Sequence, residues 1–435
     1  MSSILEGVKL KTLEQVKSKI GILPWVICAI GAIFYSYEYL LRISPSVMRA
    51  DLMSHFGITA TQFGLLSGLY YWAYVPMQLP VGLLMDRYGP KRLLTFACLI
   101  CVVGTYMFVS NNVWMSGTGR FLVGFGSAFA FVGVLKLATI WLPENRLALV
   151  AGLTAALGKM GAMFGNISLT QMTSSIGWQQ TVSISAVSGI FVAVIIWFVI
   201  KEKPTVAGKA KNTVDSFREV LLDAWLIIKN PQIWINGLYG CLVYLPTTVF
   251  AELWGNSYLE HAFHLTVKDA SYGVSALFIG FTVGAPLWGW ISDKIQLRRL
   301  PIIIGAIGAF FIALLLVSVE GLSLHMAMFL LFALGVMYGC QAIVFAVARE
   351  LSPMAAAATA MAVTNMIVML STMTLQPFIG YLLDFSWSGQ LTEAGTRLYT
   401  AADFRFAMSV LPIGIGIAVI LAFFLKETHG EVEEE

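Results

Sequence analysis

Ionised side chains inside apolar stretches are the first residues of this sequence whose types and spacing suggest chemistry. Each costs at least about 3 kcal/mol in hydrocarbon, so those retained near the middle of such a stretch are functional candidates. Glu38 and Arg42, in SYEYLLR, are four residues apart; on a helix they share one face, and each lowers the cost of burying the other. Lys159 sits at the centre of a long apolar run, too far from either end for its stem to carry the ammonium to water. Glu252, in FAELWG, lies at a depth comparable to Arg42. The plain alternative is that these charges form internal ion pairs that only hold helices together. Tyr35, Tyr39 and Trp254 flank the charged positions as candidate walls, with Gln341 and Asn365 as further polar contacts. Lys136 either snorkels to an interface or lines a cavity, while Arg120 and Arg405, near helix ends, read as structural anchors. His261 and His264, spaced HAFH without acidic or cysteine ligands nearby, read as loop residues rather than a metal site.

The elements that must position these residues are membrane spans. With 58% hydrophobic and 12% charged residues among 435, the chain cannot fold as a water-soluble globule without exposing large apolar patches. Apolar runs long enough to cross a bilayer lie near 22–48, 60–84, 93–110, 116–142, 147–172 and 178–200, then near 232–258, 267–292, 300–318, 323–348, 355–384 and 402–426. Nineteen of the 27 Lys and Arg fall in segments on the side of the termini, against Arg49, Lys268 and Arg397 in the loops opposite. That asymmetry predicts both termini in the cytoplasm. The basic first twenty residues lead into an apolar run without a small-residue cleavage site, so no removable signal is read. The five cysteines lie in apolar runs, and the CxxC pair Cys98 and Cys101 reads as helix packing. No nucleic-acid-binding basic patch, nucleotide loop, metal cluster or nucleophile–base pair stands out, so neither cofactor nor enzymatic reaction is implied. The stretch 213–230 reads as an interfacial helix with Phe217, Val220, Leu221, Ala224 and Ile228 on one side, and the tail EVEEE as a frayed end.

The second half repeats the first at an offset of 207 residues: Pro24 on Pro231, Tyr37 on Tyr244, Thr59 on Thr266, Asp86 on Asp293, Lys91 and Arg92 on Arg298 and Arg299. The expected organisation is a six-helix bundle over 1–200, a linker over 201–231 and a second bundle over 232–435. The loop GLLMDRYGPKR, with Gly82, Asp86, Arg87, Gly89 and Arg92, resembles the signature of the major facilitator superfamily. Its copy GWISDKIQLRR, with Gly289, Asp293, Arg298 and Arg299, has Gln296 where the second glycine is expected. RFLVGFGSA resembles the family's fourth-span motif, and the glycine-rich fifth span loosely resembles its antiporter motif without the Gly-Pro.

The resemblance implies an all-α fold of twelve transmembrane helices in two six-helix bundles related by a pseudo-twofold axis. It implies a conformational latch at the two loops, with Arg146 and Arg349 as expected partners of Asp86 and Asp293, and a central cavity on which Glu38, Arg42, Lys159 and Glu252 converge. Charges of both signs would complement a zwitterion: Arg42 or Lys159 for its carboxylate, a glutamate for its ammonium. Glu38 or Glu252 would carry a coupling proton. YEYLLRISPSVM and GLYYWAYVPMQLPVGLLMDRYGPKR resemble phagosomal nutrient transporters of intracellular bacteria, which implies uptake of amino acids or nucleosides. The expected function is proton-coupled transport by a monomer, an amino acid being the favoured solute. Nucleoside or organic-anion transport, drug efflux and a solute sensor that moves nothing are the alternatives.

Overall fold

The computed structural model describes residues 21–143, 146–201, 213–353, 356–392 and 395–429. The N-terminal twenty residues, most of the linker, the Phe217 side chain and the EVEEE tail lie outside the described residues. The apolar runs form helices where their hydropathy places them. Spans one to six are Ile22–Val47, Ala60–Met77 continued by Pro80–Tyr88, Pro90–Phe108, Val113–Trp141, Leu147–Ile176 and Trp178–Val199. Spans eight, nine and eleven are Val267–Ile295, Arg299–Ser318 and Ala357–Ser386, and span twelve comprises Ala401–Met408 and Val410–Ala422. Among the described residues, ten helices are long and apolar enough to cross a membrane, and the second span is divided by a turn before Pro80.

Two spans depart from regular α geometry beside the charged residues. Span seven begins as Pro231–Val243, passes through a π-helical stretch at Pro246–Trp254 and ends as Gly255–Ala262. Pro246 has no N–H to give the preceding turn, and both Thr247 and Thr248 donate to Tyr244 C=O instead, at 3.0 and 3.1 Å. Span ten is interrupted by a 3₁₀ turn, Gly339–Ala342, between Leu324–Tyr338 and Ile343–Glu350.

The repeat is visible in the backbone. Thr59 and Thr266, aligned in sequence, each cap a helix, accepting from the N–H of Gln62 and of Asp269. Gly57 and its counterpart His264 both have left-handed φ, 61° and 54°. Gly89 has φ 80° and ψ 148°, a region open essentially only to glycine, whereas its counterpart Gln296 takes φ 54° and ψ 35°, the left-handed helical region that a side chain tolerates. The glutamine therefore changes the turn without abolishing it, and its Nε2 donates to Asp293 C=O at 2.6 Å.

The helix Thr213–Lys229 buries Ala224 and Ile227 against the bundle and exposes Leu221, Leu222, Trp225, Leu226 and Ile228. Of the side expected to be apolar, Ala224 faces the protein, while Leu221 and Ile228 belong to the exposed face.

At the end of the bundle opposite the termini, the first six spans press closely on the last six. A Cβ on Gly64 of span two would stand 2.7 Å from Gln376 C=O of span eleven, and one on Gly380 would stand 2.2 Å from Ala60 C=O. The Asp384 carboxylate of span eleven accepts from Ala60 N–H at 3.3 Å and Thr61 N–H at 2.9 Å, the first amides of span two. It also holds Thr61 Oγ1, Arg397 and the Tyr399 hydroxyl. Beside it, Asn166 of span five donates to Ser271 C=O of span eight at 2.9 Å, Asn256 of span seven donates to Asn166 at 2.8 Å, and Arg49 donates to Ser257 at 2.5 Å.

Candidate functional site

Directly beneath this seal, Glu38, Arg42 and Glu252 form one buried network. Arg42 reaches Glu38 Oε1 at 3.0 Å, one helical turn away, and stands 3.8 Å from Glu252 Oε1 across the junction of the two halves. Span two supplies the hydroxyls that complete it. Arg42 Nε donates to Tyr70 OH at 3.1 Å, Tyr70 OH donates to Glu38 Oε2 at 2.9 Å, and Tyr71 OH donates to Glu252 Oε2. The guanidinium also lies over the Tyr39 ring at 4.3 Å and the Tyr74 ring at 5.0 Å. Each carboxylate thus has a cation and a phenol, which offsets part of its desolvation.

The backbone that carries Arg42 is itself held from span four. Pro45 cannot donate to Leu41 C=O, four residues earlier. Arg120 supplies the missing donor: Nη1 to Leu41 C=O at 2.8 Å and Nη2 to Arg42 C=O at 3.2 Å. Ser44 Oγ adds a bond to the same Leu41 oxygen at 2.9 Å. The structural anchor expected of Arg120 therefore acts on the span that bears the site.

Lys159 is brought to the network by close packing of span five on span one. A Cβ on Gly158 would stand 2.4 Å from the Tyr35 ring, and one on Gly161 would stand 2.4 Å from Ser36 C=O. The Lys159 ammonium donates to Tyr244 OH at 2.6 Å and lies 5.0 to 5.6 Å from the ring centres of Tyr39, Tyr244, Phe278 and Phe281. Tyr35 packs edge-on against Tyr39, with ring centres 5.1 Å apart.

Other expected site residues sit elsewhere. Trp254 donates its indole N–H to Gln376 C=O at 3.1 Å and packs on Phe63, so it belongs to the seal rather than to a solute wall. Asn365 donates to Gln78 at 3.1 Å, joining spans eleven and two. Gln341 is buried in the 3₁₀ turn of span ten and takes no part in the hydrogen bonds described for the network.

The loop signatures also differ from expectation. Asp86 pairs with Lys136 of span four, not with Arg146; of the two readings of Lys136, this pairing with a loop carboxylate fits the reach to an interface rather than cavity lining. Asp293 pairs with Arg298 at 2.5 Å, not with Arg349; Arg146 and Arg349 are exposed. Arg298 in turn reaches Glu350 at 2.8 Å. Burial works to lower the Arg298 pKa, but the Glu350 and Asp293 carboxylates outweigh it and raise the value. Glu427 accepts from the backbone N–H groups of Arg298 and Arg299 at 2.6 and 2.9 Å, and Arg299 donates to Phe423 C=O. A Cβ on Gly82 or Gly289 would meet nothing within 4 Å, so neither glycine stands at a close helix contact in this conformation. Arg87 lies over the Tyr88 ring, and Arg92 is exposed. Arg405 pairs with Glu320 and donates to Ala262 C=O; His261 Nδ1 bonds Ser257 C=O and its ring packs on Phe404.

The family model for the Major Facilitator Superfamily matches residues 26–375 and 253–434. Curated relatives include the probable sulfoacetate transporter SauU of Cupriavidus necator, 22% identical over 63% of this chain and 66% of its own length. The membrane sensor protein UhpC of Salmonella typhimurium is 22% identical over 60% of this chain and 62% of its own. In both cases the match spans less than two thirds of the relative. The probable galactarate/D-glucarate transporter GudP of Bacillus subtilis is 23% identical over 89% of this chain and 92% of its own. Among solved structures, a bacterial homolog of the human lysosomal transporter Spinster, inward-facing and occupied, superposes with a TM-score of 0.75 at 16% identity, covering 93% of this chain and 97% of that one. By motif, fold and family match alike, the chain belongs to the Major Facilitator Superfamily, a family of membrane transporters rather than of enzymes.

Proposed function

We propose that this chain carries a small acidic or zwitterionic solute across a bacterial inner membrane by alternating access, as a monomer coupled to protons and with both termini in the cytoplasm. The observation that carries the reading is the joint burial of Glu38, Arg42, Lys159 and Glu252, from spans one, five and seven, where the two halves meet. A site of this kind, closed on one side by a seal between the halves, fits a solute path. In this reading the two halves of the repeat move as the bundles 1–200 and 232–435. The closed side is the outer one, by the Lys and Arg asymmetry.

Arg42 supports a coupling scheme because it ties Glu38 of its own span to Glu252 of the other half. A proton on Glu252 removes the charge that draws Arg42 across and loosens the tie between halves; a proton on Glu38 frees Arg42 for Glu252. Asp86, parked on Lys136, would act as the latch when the terminal end closes.

Relatives named for sulfoacetate and for galactarate and D-glucarate favour an acidic solute. The resemblance of the first two spans to nutrient transporters keeps an amino acid among the candidates. The test is counterflow in proteoliposomes against amino acids, nucleosides and sugar acids, repeated with an imposed pH gradient. Exchange of an acidic or zwitterionic solute, accumulated when the outside is acidic, is expected. A relative named as a membrane sensor supports the second reading, a sensor that binds without transport. Saturable binding with no counterflow of any solute would select it.

A further inference from the structure

We propose that Lys159, with the Tyr244 hydroxyl, is the point of the central site that takes the solute's negative group, so that the solute is a small carboxylate or a similar oxyanion. The inference rests on the transport reading for its location and deepens it by assigning the anion to Lys159 rather than to Arg42.

Lys159 and Arg42 are both buried cations, and their surroundings differ. Arg42 is occupied: its Nη2 is on Glu38, its Nη1 faces Glu252 and its Nε is on Tyr70. The two glutamates in turn receive the Tyr70 and Tyr71 hydroxyls, so this part of the site is close to balanced in charge and in hydrogen bonds. Lys159 donates one described hydrogen bond, to a neutral phenol. Among the described residues no carboxylate stands within ion-pair distance of it. Its other neighbours are the faces of Tyr39, Tyr244, Phe278 and Phe281.

Aromatic faces offset only part of what burial removes. At these distances a ring face meets the ammonium by its quadrupole alone and supplies neither a hydrogen-bond acceptor nor a counter-charge, both of which water had supplied. An ammonium has three donors, and the phenol uses one. A ligand oxyanion would fill the remaining two and cancel the charge. The rings around Lys159 come from span one and from spans seven and eight, so an anion bound there touches both halves, as a transported solute must. The ammonium is a point charge without the fork of an arginine, so it selects for charge more than for the planar geometry of one acid. Neutral nucleosides and polyols find no counterpart for their lack of charge at this position.

The experiment uses the purified full chain in detergent and follows thermal unfolding with increasing acetate, glycerate, gluconate or alanine, and with glycerol and sorbitol as uncharged partners. At least one carboxylate is expected to stabilise the wild type saturably, and its neutral partner to fail. Lys159→Gln is expected to weaken that carboxylate at least tenfold, Lys159→Arg to restore most of it, and Tyr244→Phe to weaken it about threefold. A wild type stabilised by none of the carboxylates, or by a neutral partner equally, overturns the proposal. So does a folded Lys159→Gln protein that binds carboxylate with wild-type affinity. Should Lys159→Gln fail to fold, the wild-type comparison and Tyr244→Phe decide the matter. Carboxylate binding that depends on Lys159 without any counterflow would instead overturn the transport reading and leave this assignment standing.

Discussion

Replacing Asp384 by alanine removes the carboxylate that spans the two halves at the sealed end. Asp384 accepts from the first two amides of span two, Ala60 and Thr61, and so serves as an N-cap supplied by another helix. Loss of an N-cap costs about 0.5–2 kcal/mol, and loss of a negative charge at a helix N-terminus a further 0.3–1 kcal/mol or about that. Its bond to Arg397 lies within its own half, while Tyr399, which it orients, keeps a second bond across the junction by accepting from Ala60 N–H at 3.2 Å. Taking about 2 kcal/mol as the tie between halves, the ratio of open to closed conformers at this end rises about 30-fold. The rise can be read as a chemical rate. Ser271 is buried in the seal, and the bond it receives there from Asn166 goes to its backbone carbonyl, which a cysteine keeps. The five native cysteines are buried, so their background labelling is low. A Ser271→Cys protein should therefore react with a membrane-impermeant maleimide about 30 times faster when Asp384→Ala is added. An unchanged rate in folded protein would refute the view that Asp384 holds the halves together.

Glu38→Gln should keep solute counterflow but lose accumulation driven by a pH gradient, while Glu252→Gln should lower accumulation and also raise Ser271→Cys labelling, because the tie from Arg42 is gone. If both variants concentrate solute at the wild-type ratio in proteoliposomes, transport is not proton-linked through this network. Asp86→Asn should slow transport and leave equilibrium binding within about threefold, since its pair with Lys136 is largely exposed and worth at most about 1 kcal/mol; abolished binding in folded protein would remove its latch role. Arg120→Met should destabilise the protein by about 2 kcal/mol in denaturant unfolding, and by clearly less in a Pro45→Ala background, where residue 45 can donate to Leu41 C=O itself. Additive effects of those two changes would show that the guanidinium and the proline are not coupled.

The span positions and the four buried charges were legible because hydropathy and the cost of burying charge act within a single segment. Tyr70, Tyr71, Tyr74 and Tyr244 were not: tyrosines are common in this chain, and what gives these four a role is the helix each one faces. The i, i+4 pair Tyr70 and Tyr74 in span two was the available signal, since both rings lie over Arg42. The true partner of Asp86 was hidden for the same reason, because Lys136 belongs to a helix two spans away. Span seven misled in another way. Trp254 read as a wall because it lies two residues from Glu252 in sequence, but on a helix that spacing turns the two side chains to nearly opposite faces, and Trp254 goes to the seal. Asn166 and Asn256, which hold the seal, were visible as polar residues inside spans and carried no spacing that linked them.

The paired turns at Gly57 and His264, and at Gly89 and Gln296, bear on how freely the two halves can diverge. In the second half both left-handed residues carry side chains, each at a cost of about 1–2 kcal/mol. Either could return to glycine with local relief. The reverse exchange is not open to the first half at Gly89, because its φ and ψ admit no Cβ. The turn of the second copy is thus one that residues other than glycine can adopt, while that of the first is confined to glycine. Sequence variants of this chain should accordingly scatter at position 296 and stay fixed at position 89.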